Sequence, residues 1–523
     1  MSSFTTEPTT LGSLSESARQ ERFDVLQRRL PAVWGAMGLN REGESIVVVP
    51  SVTLDRVVDR RTPLQAYEER FLFLLLLLRE PRLRVIYVTS VDIDPTIVEY
   101  YLSLLPGVIP SHARARLHLV AVHDGSSAPL TAKILERPRL IERIRALIPD
   151  RHLSHAVAYN VTVLERDLAI ALGIPLYGAD PRHLAFGTKT GCRRLFAEEG
   201  VPHPAGYEDV DGLDSLLESL LSLRRARPAV REAIVKLNEG VSGTGNAVID
   251  LRGLPEPGSG TERPELEDRI RRMSFELAEL PFEQYVAKLE ERHGIVEERI
   301  DGAEVRSPSV QLRVLPDGAV ELLSTHDQLL GGPSGQSYLG CRFPADHSYA
   351  RMITVEAAKI GERLAREGVI GRFAVDFVVV RDCGAWTPYA IELNLRKGGT
   401  THPFLTLQFL TGGTYDGDTG LFVAPNGREK HLVATDHLTS PVFRGLTHDD
   451  LFDIVARHGL QFDQSRQKGV VFHMMTALSE FGLVGLTAVG DSAREADETY
   501  RRAERILLAE AEEAVAEPHV PLD

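Results

Sequence analysis

Gly371-Arg-Phe-Ala-Val-Asp-Phe-Val-Val-Val380 and, further on, Tyr389-Ala-Ile-Glu-Leu-Asn-Leu-Arg396 form the stretch whose reading decides the fold. The β-branched run at 375–380 predicts a strand. Asp382, Cys383 and Gly384 predict a reversal, and 389–395 predicts the returning strand of a hairpin. Glu392 and Asn394 are two apart, so both side chains leave one face of their strand, within reach of Asp376 on the partner. Three hard oxygen donors then converge. Without a cation the two carboxylates would repel, whereas Mg²⁺ takes a few carboxylate or amide oxygens and leaves its other positions to phosphates. The triplet is expected to hold magnesium and a nucleotide; its competing reading is a surface hairpin with solvated acids.

A chain of 523 residues exceeds one ordinary core, so two to four domains are expected. Lys and Arg number 59 against 74 Asp and Glu, and the net charge of -15 argues against a nucleic-acid partner. Cys192, Cys341 and Cys383 are scattered and odd in number, which fits neither a disulfide framework nor a zinc site and points to a reducing cytoplasm. The apolar run Phe71-Leu-Phe-Leu-Leu-Leu-Leu-Leu78 is too short to cross a bilayer and predicts a buried helix, so no membrane is expected. Residues 1–20 read as a loose Ser/Thr-rich tail without the basic start and apolar core of a signal peptide.

Residues 21–181 alternate short apolar runs at 46–49, 84–89 and 117–122 with helical stretches at 64–79 and 161–172, the second closed by Gly173. The pattern predicts a parallel α/β layer. A helix is expected at 211–231 and a flexible connection at 253–264. The Gly-rich segment 412–420 marks a further boundary, after which helices at 449–458 and 493–516 imply a small C-terminal α/β domain over 412–523. Its His473-Met-Met475 stretch reads as core filling.

Ile234-Val-Lys-Leu-Asn-Glu-Gly-Val-Ser-Gly-Thr-Gly-Asn-Ala-Val-Ile249 places Lys236 on a strand, then a tip with Gly240, Ser242, Gly243 and Gly245, then a second strand. Glycines let backbone N–H groups approach oxyanions closely, and Lys236 would lie over phosphates. Strands flank the loop on both sides, which excludes a Walker-type loop leading into a helix. An ordinary hairpin turn is the alternative. Gly187-Thr-Lys-Thr-Gly191 puts Lys189 at a helix start, where a solvated lysine is the default. Phe282-Glu-Gln-Tyr-Val286 reads as a short linker strand whose backbone would take an adenine edge. Arg396 is read as two residues past Asn394 on the same strand face, suited to a bidentate contact with a transferring phosphate or a substrate carboxylate. Arg313 in Val310-Gln-Leu-Arg-Val314 is a weaker candidate for the same work.

In chain order, Lys189, Lys236 with its glycine loop, Glu283-Gln-Tyr-Val286, Asp376 and Glu392-x-Asn394 resemble the ATP-grasp superfamily over about 187–411. Such proteins clamp ATP and magnesium between two α+β subdomains. The resemblance implies a pre-ATP-grasp α/β domain at 21–181, the two-subdomain ATP-grasp fold at 182–411 and the C-terminal unit. Ser324-Thr-His-Asp-Gln-Leu-Leu-Gly-Gly-Pro-Ser-Gly-Gln-Ser337, Asn394-Leu-Arg-Lys-Gly-Gly-Thr-Thr-His-Pro403 and the segment 470–500 are similar, more narrowly, to the pheganomycin-type peptide ligases. The roles so implied give the ATP phosphates to Lys189 and Lys236, the adenine to Glu283, Tyr285 and Val286, and Mg²⁺ to Asp376, Glu392 and Asn394. One departure stands out: where relatives making D-alanyl dipeptides carry an arginine two residues before the metal aspartate, this chain has Ala374. Arg372 or Arg313 would then substitute, or the phosphate contact differs.

The resemblance implies an ATP-dependent ligase joining a small-molecule carboxylate to the amine of an amino acid or peptide, through an acyl phosphate, in peptide natural-product biosynthesis. Gly331-Gly-Pro-Ser-Gly-Gln336 would serve as a lid over that intermediate, with a plain surface loop as the alternative, and a homodimer is the candidate assembly. A phosphotransferase and a regulatory nucleotide binder are the rival readings.

Overall fold

In the computed structural model, residues 11–37, 39–53, 63–240, 243, 245–277, 280–332 and 335–516 are described. The first layer is a parallel sheet of β1 (Ser45–Val49), β2 (Arg84–Thr89), β3 (Leu117–Ala121), β4 (Ser154–Ala158) and β5 (Leu176–Tyr177), in the order β3-β2-β1-β4-β5. Helices cover both faces, so every residue of β1 and β4 is buried, which is why these strands read as unbroken apolar runs. The helix Val163–Leu172 opens with a Thr162–Glu165 capping box and ends at left-handed Gly173, as expected. The expected tail is shorter than 1–20. A helix spans Glu16–Gln27, capped by Ser15, and docks through Arg19–Asp167 at 2.6 Å and an Arg166–Glu16 ion pair. Residues 1–10 lie outside the described part.

The helix expected at 64–79 is an α-helix over Leu64–Glu69 that continues as a 3₁₀ segment over Arg70–Arg79. Phe71 to Leu76 and Leu78 are all buried, as an element apolar on every side must be. Each such leucine removed from water contributes roughly 1.5–3 kcal/mol before its lost entropy is counted.

The second sheet contains β6 (Gly206–Val210), β7 (Glu232–Leu237), β8 (Asn246–Asp250), β9 (Ser274–Phe275) and β10 (Gly294–Glu298), in the order β6-β10-β7-β8-β9. Lys236 sits on β7, and the antiparallel β7–β8 pair carries the glycine tip, as predicted. The strand expected at 282–286 is instead the start of a helix, Phe282–Arg292. Phe282, Tyr285, Val286 and Leu289 recur at helical spacing, and Tyr285 and Leu289 are fully buried against this sheet.

The third sheet is antiparallel and the largest. It holds β11 (Glu304–Arg306), β12 (Pro308–Val314), β13 (Val320–Gly331), β14 (Ser337–Phe343), β15 (Gly371–Asp382) and β16 (Ala385–Asn394). A small hairpin of β17 (Thr414–Asp416) and β18 (Leu421–Val423) follows. The segment from 412 does not close a domain of its own. Its β19 (His431–Thr439), β20 (Gly469–His473) and β21 (Leu483–Gly490) continue the same sheet, because β19 pairs with β14, and their side chains share one core with the apolar run at 71–78. Met474 and Met475 are buried, as core-filling residues should be. Among the described residues no helix is long and apolar enough to cross a membrane.

Ending the chain after Thr439 strips β21 from β19 and opens a buried sheet edge, which templates aggregation. The truncated protein is expected to be insoluble on expression. Soluble, monodisperse material by size-exclusion chromatography would contradict the shared core.

Candidate active site

Asp376 and Glu392 are direct partners across β15 and β16, and Asn394 pairs with Ala374 two positions on. Cys383 and Gly384 at the reversal have φ of 50° and 90°, the left-handed pair that matches a two-residue hairpin to strand twist. The register slips between Asp376 and Phe377, a bulge that aims the acid locally. Asp376 accepts from Asn394 Nδ2 at 3.0 Å and from Gln328 Nε2 at 2.8 Å. Burial, then the charge of Glu392, pushes its carboxyl up to about 6. Burial pushes the other way from the outcome at Glu392: Lys189, with Nζ 2.6 Å from Oε1, and Arg396 together hold that carboxylate below its ordinary value.

These groups line one end of a cavity of about 1370 Å³ between the sheets. Lys189 is the first residue of the helix Lys189–Glu198, which Thr188 caps. Lys236 reaches the cavity from β7 and is buried, its Nζ 2.5 Å from Glu297 Oε1; Arg193 Nη1 donates to the other oxygen of Glu297 at 2.7 Å. Gly240, Gly243 and Gly245 line the roof. Ser242 lies outside the described residues. Across the opening, Asn246 Nδ2 donates to Gln336 Oε1 at 2.6 Å, so the glycine tip of one lobe meets the expected lid of the other. Pro333 and Ser334 within that lid are outside the described residues.

Several expected positions differ. Arg396 lines the cavity, but from the turn after β16, since the strand ends at Asn394. Arg313 is not among the cavity's lining residues. Its Nε donates to Glu321 at 2.6 Å and its guanidinium lies 5.3 Å from the Trp34 ring, at the junction with the first layer. Arg372 pairs with Arg313 in register, is half-buried and is likewise not among the cavity's lining residues, so neither arginine stands in for the one missing at Ala374. Glu283 is exposed, while Tyr285 and Val286 are buried in the lobe core, the Tyr285 hydroxyl donating to backbone carbonyls of Val235 and Gly245. The chain that joins the lobes runs between β10 and β11, and its Arg299, Ile300 and Asp301, with Glu298 at the end of β10, line the cavity instead. Sequence reading also missed Gln328, although it lies in the stretch quoted above, and Glu297, whose role depends on two cations brought from elsewhere in the chain.

Comparison with known proteins identifies the family and the fold. The model of the family described as IQCH-like, ATP-grasp matches residues 182–265 and 264–418, and that of the PGM1 C-terminal domain matches 450–503. The L-propargylglycine–L-glutamate ligase of Streptantibioticus cattleyicolor is 30% identical over 463 residues, covering 87% of this chain and 92% of that protein. IQ motif-containing protein H of Danio rerio is 25% identical over 477 residues, covering 81% of this chain and 44% of its own length. Among solved structures, biotin carboxylase of Campylobacter jejuni, in complex with β,γ-ATP, has a TM-score of 0.54 at 12% identity, covering 91% of this chain and 96% of its own. The biotin carboxylase domain of Hydrogenobacter thermophilus 2-oxoglutarate carboxylase, a dimer bound to MgADP, has a TM-score of 0.53 at 11% identity, covering 88% and 89%. These two show the fold alone. The chain belongs to the ATP-grasp family, as one of its carboxylate–amine ligases.

Glu297 is the counter-charge for two buried cations, and removing one partner of a buried pair costs about 3–5 kcal/mol. Glu297→Ala should therefore lower the unfolding midpoint sharply in a thermal melt, with Glu297→Gln intermediate. An unchanged midpoint in both would remove Glu297 from this structural role.

Proposed function

We propose that this protein activates an amino-acid-like carboxylate with ATP and joins it to the amine of an amino acid or peptide. The observation that carries the reading is the pairing of two buried lysines, Lys189 and Lys236, with carboxylates lining the same cavity as Asp376 and Asn394. A carboxylate resists amines because its charge repels them and oxide is a poor leaving group. Transfer of the γ-phosphoryl group to it makes an acyl phosphate, and the amine then displaces phosphate.

The donor set suits a hard cation: two carboxylates in register and an amide, with one acid raised by burial and then by the other's charge. Asp376, Glu392 and Asn394 would hold Mg²⁺, which when bound neutralises phosphate charge. Lys189 and Lys236 would share that work. Arg396, whose charge already acts on both acids, would orient the reacting carboxylate or the transferring phosphate. The inter-lobe segment 298–301, rather than 283–286, would receive the adenine. The meeting of Asn246 with Gln336 supports a closed roof that keeps water from the acyl phosphate.

The relative's named substrates make L-glutamate and L-propargylglycine the first pair to test, followed by panels of amino acids and short peptides. The expected products are ADP and phosphate, formed when acid and amine are both present; hydroxylamine in place of the amine should trap a hydroxamate. AMP and pyrophosphate would overturn the mechanism, and a stable phosphorylated acceptor would make the protein a phosphotransferase. Glu392→Gln should keep the fold by circular dichroism and lower turnover roughly a hundredfold or more, the scale on which losing one transition-state charge partner acts. Undiminished turnover in that variant would remove Glu392 from the site.

A further inference from the structure

The cavity continues beyond Arg396 along Gly398, Gly399 and Thr400 to an end that no assigned role uses. Three distant parts of the chain build it: Tyr67, Arg70 and Tyr159 from the first layer, Tyr338 from β14, and Asp436 with His437 from β19. Arg70 and Asp436 are both buried, with Nη1 2.6 Å from Oδ2, and the other oxygen of Asp436 is 2.5 Å from His437 Nδ1. One carboxylate thus holds two basic side chains. Burial opposes protonation of His437, yet the hydrogen bond and charge of Asp436 outweigh it and raise its pKa. Behind Arg70, the His402–His473 pair, with Nε2 atoms 3.0 Å apart, is kept neutral by burial and supplies no counter-anion.

Two basic side chains thus share a single carboxylate here, inside a chain of net charge -15. Arg70 Nε is buried and has no hydrogen-bond partner among the described residues. Its guanidinium is fixed by stacking, 4.9 Å from the Tyr67 ring and 5.6 Å from that of Tyr159, which spares the entropy of ordering it on binding. Gly399 admits the Tyr338 ring as the opposite wall, since a Cβ there would come within 2.4 Å of it.

We infer that this end of the cavity is a recognition subsite for a non-reacting carboxylate of an amino-acid or peptide substrate, with Arg70 as its principal donor and His437 as the second. The inference rests on the ligase reading above and adds which chemical group of the substrate is recognised away from the reacting centre. A guanidinium is suited to a carboxylate, and the nucleotide's phosphates would have lysines of their own in Lys189 and Lys236. Asp436 is a positioning residue: it orients both donors and is itself saturated by them.

The test is calorimetric titration of the full-length protein, loaded with MgADP, with the twenty L-amino acids, short dipeptides and the C-terminal carboxamide of each. At least one free acid is expected to bind tenfold or more tightly than its amide. Arg70→Gln should erase that preference while MgADP still binds. His437→Gln, which leaves the Arg70–Asp436 pair intact, should reduce the preference at least threefold and serves if Arg70→Gln fails to fold. Equal binding of acids and amides, or an undiminished preference in the variants, would overturn the subsite. Acid preference without any ADP formation in the activity assay would instead retain the subsite and defeat the ligase reading.

Discussion

Two carboxylates, Asp376 and Glu392, stand opposite each other at one register position of an antiparallel hairpin, where like charges destabilise a sheet. The surrounding structure answers that repulsion. Lys189 arrives from a helix start, Asn394 from two residues along the strand and Gln328 from the next strand but one, each giving one acid a partner. Lys236 would add a second cation but is held by Glu297, which also restrains Arg193. The result is a polar cluster in which both lysines and their carboxylate partners line one cavity, an arrangement that would suit preorganised phosphoryl transfer.

The same hairpin fixes the rest of the architecture. Its sheet runs through β12, β13 and β14 into the C-terminal strands, and the core beneath those strands includes the apolar run of the first layer. First and last portions of the chain therefore meet on one side of the cavity, where the Arg70–Asp436 pair spans 366 residues of sequence. Residues far apart in sequence, from both portions, thus border the same cavity as Asp376 and Glu392.

What could be read from the sequence was whatever depends on near neighbours. The hairpin at 371–394, the glycine tip between β7 and β8, the lysine at a helix start and the parallel first layer each follow from a run, a turn or a cap within a few residues. The errors have equally local causes. At 282–286 five residues were too few to distinguish strand from helix, and extending the window to Leu289 exposes the helical period. Arg313 is the weaker candidate in sequence, and the docked first layer, with Trp34 beside its guanidinium and Glu321 accepting from it, takes it away from the cavity. The strands after residue 430 looked like a separate unit because sheet continuation across β14 and β19 leaves no mark in either strand alone. Arg70, Asp436, His437 and Glu297 acquire their roles only through contacts between distant segments.

The central claim is that a substrate carboxylate attacks the γ-phosphorus of ATP. Turnover with a carboxylate labelled by ¹⁸O in both oxygens, followed by mass spectrometry of the released phosphorus species, tests it most directly. The account predicts one ¹⁸O in inorganic phosphate, because the oxygen that bonds phosphorus leaves with it when the amine displaces the acyl group. Label in AMP, or product formed with unlabelled phosphate, would contradict it.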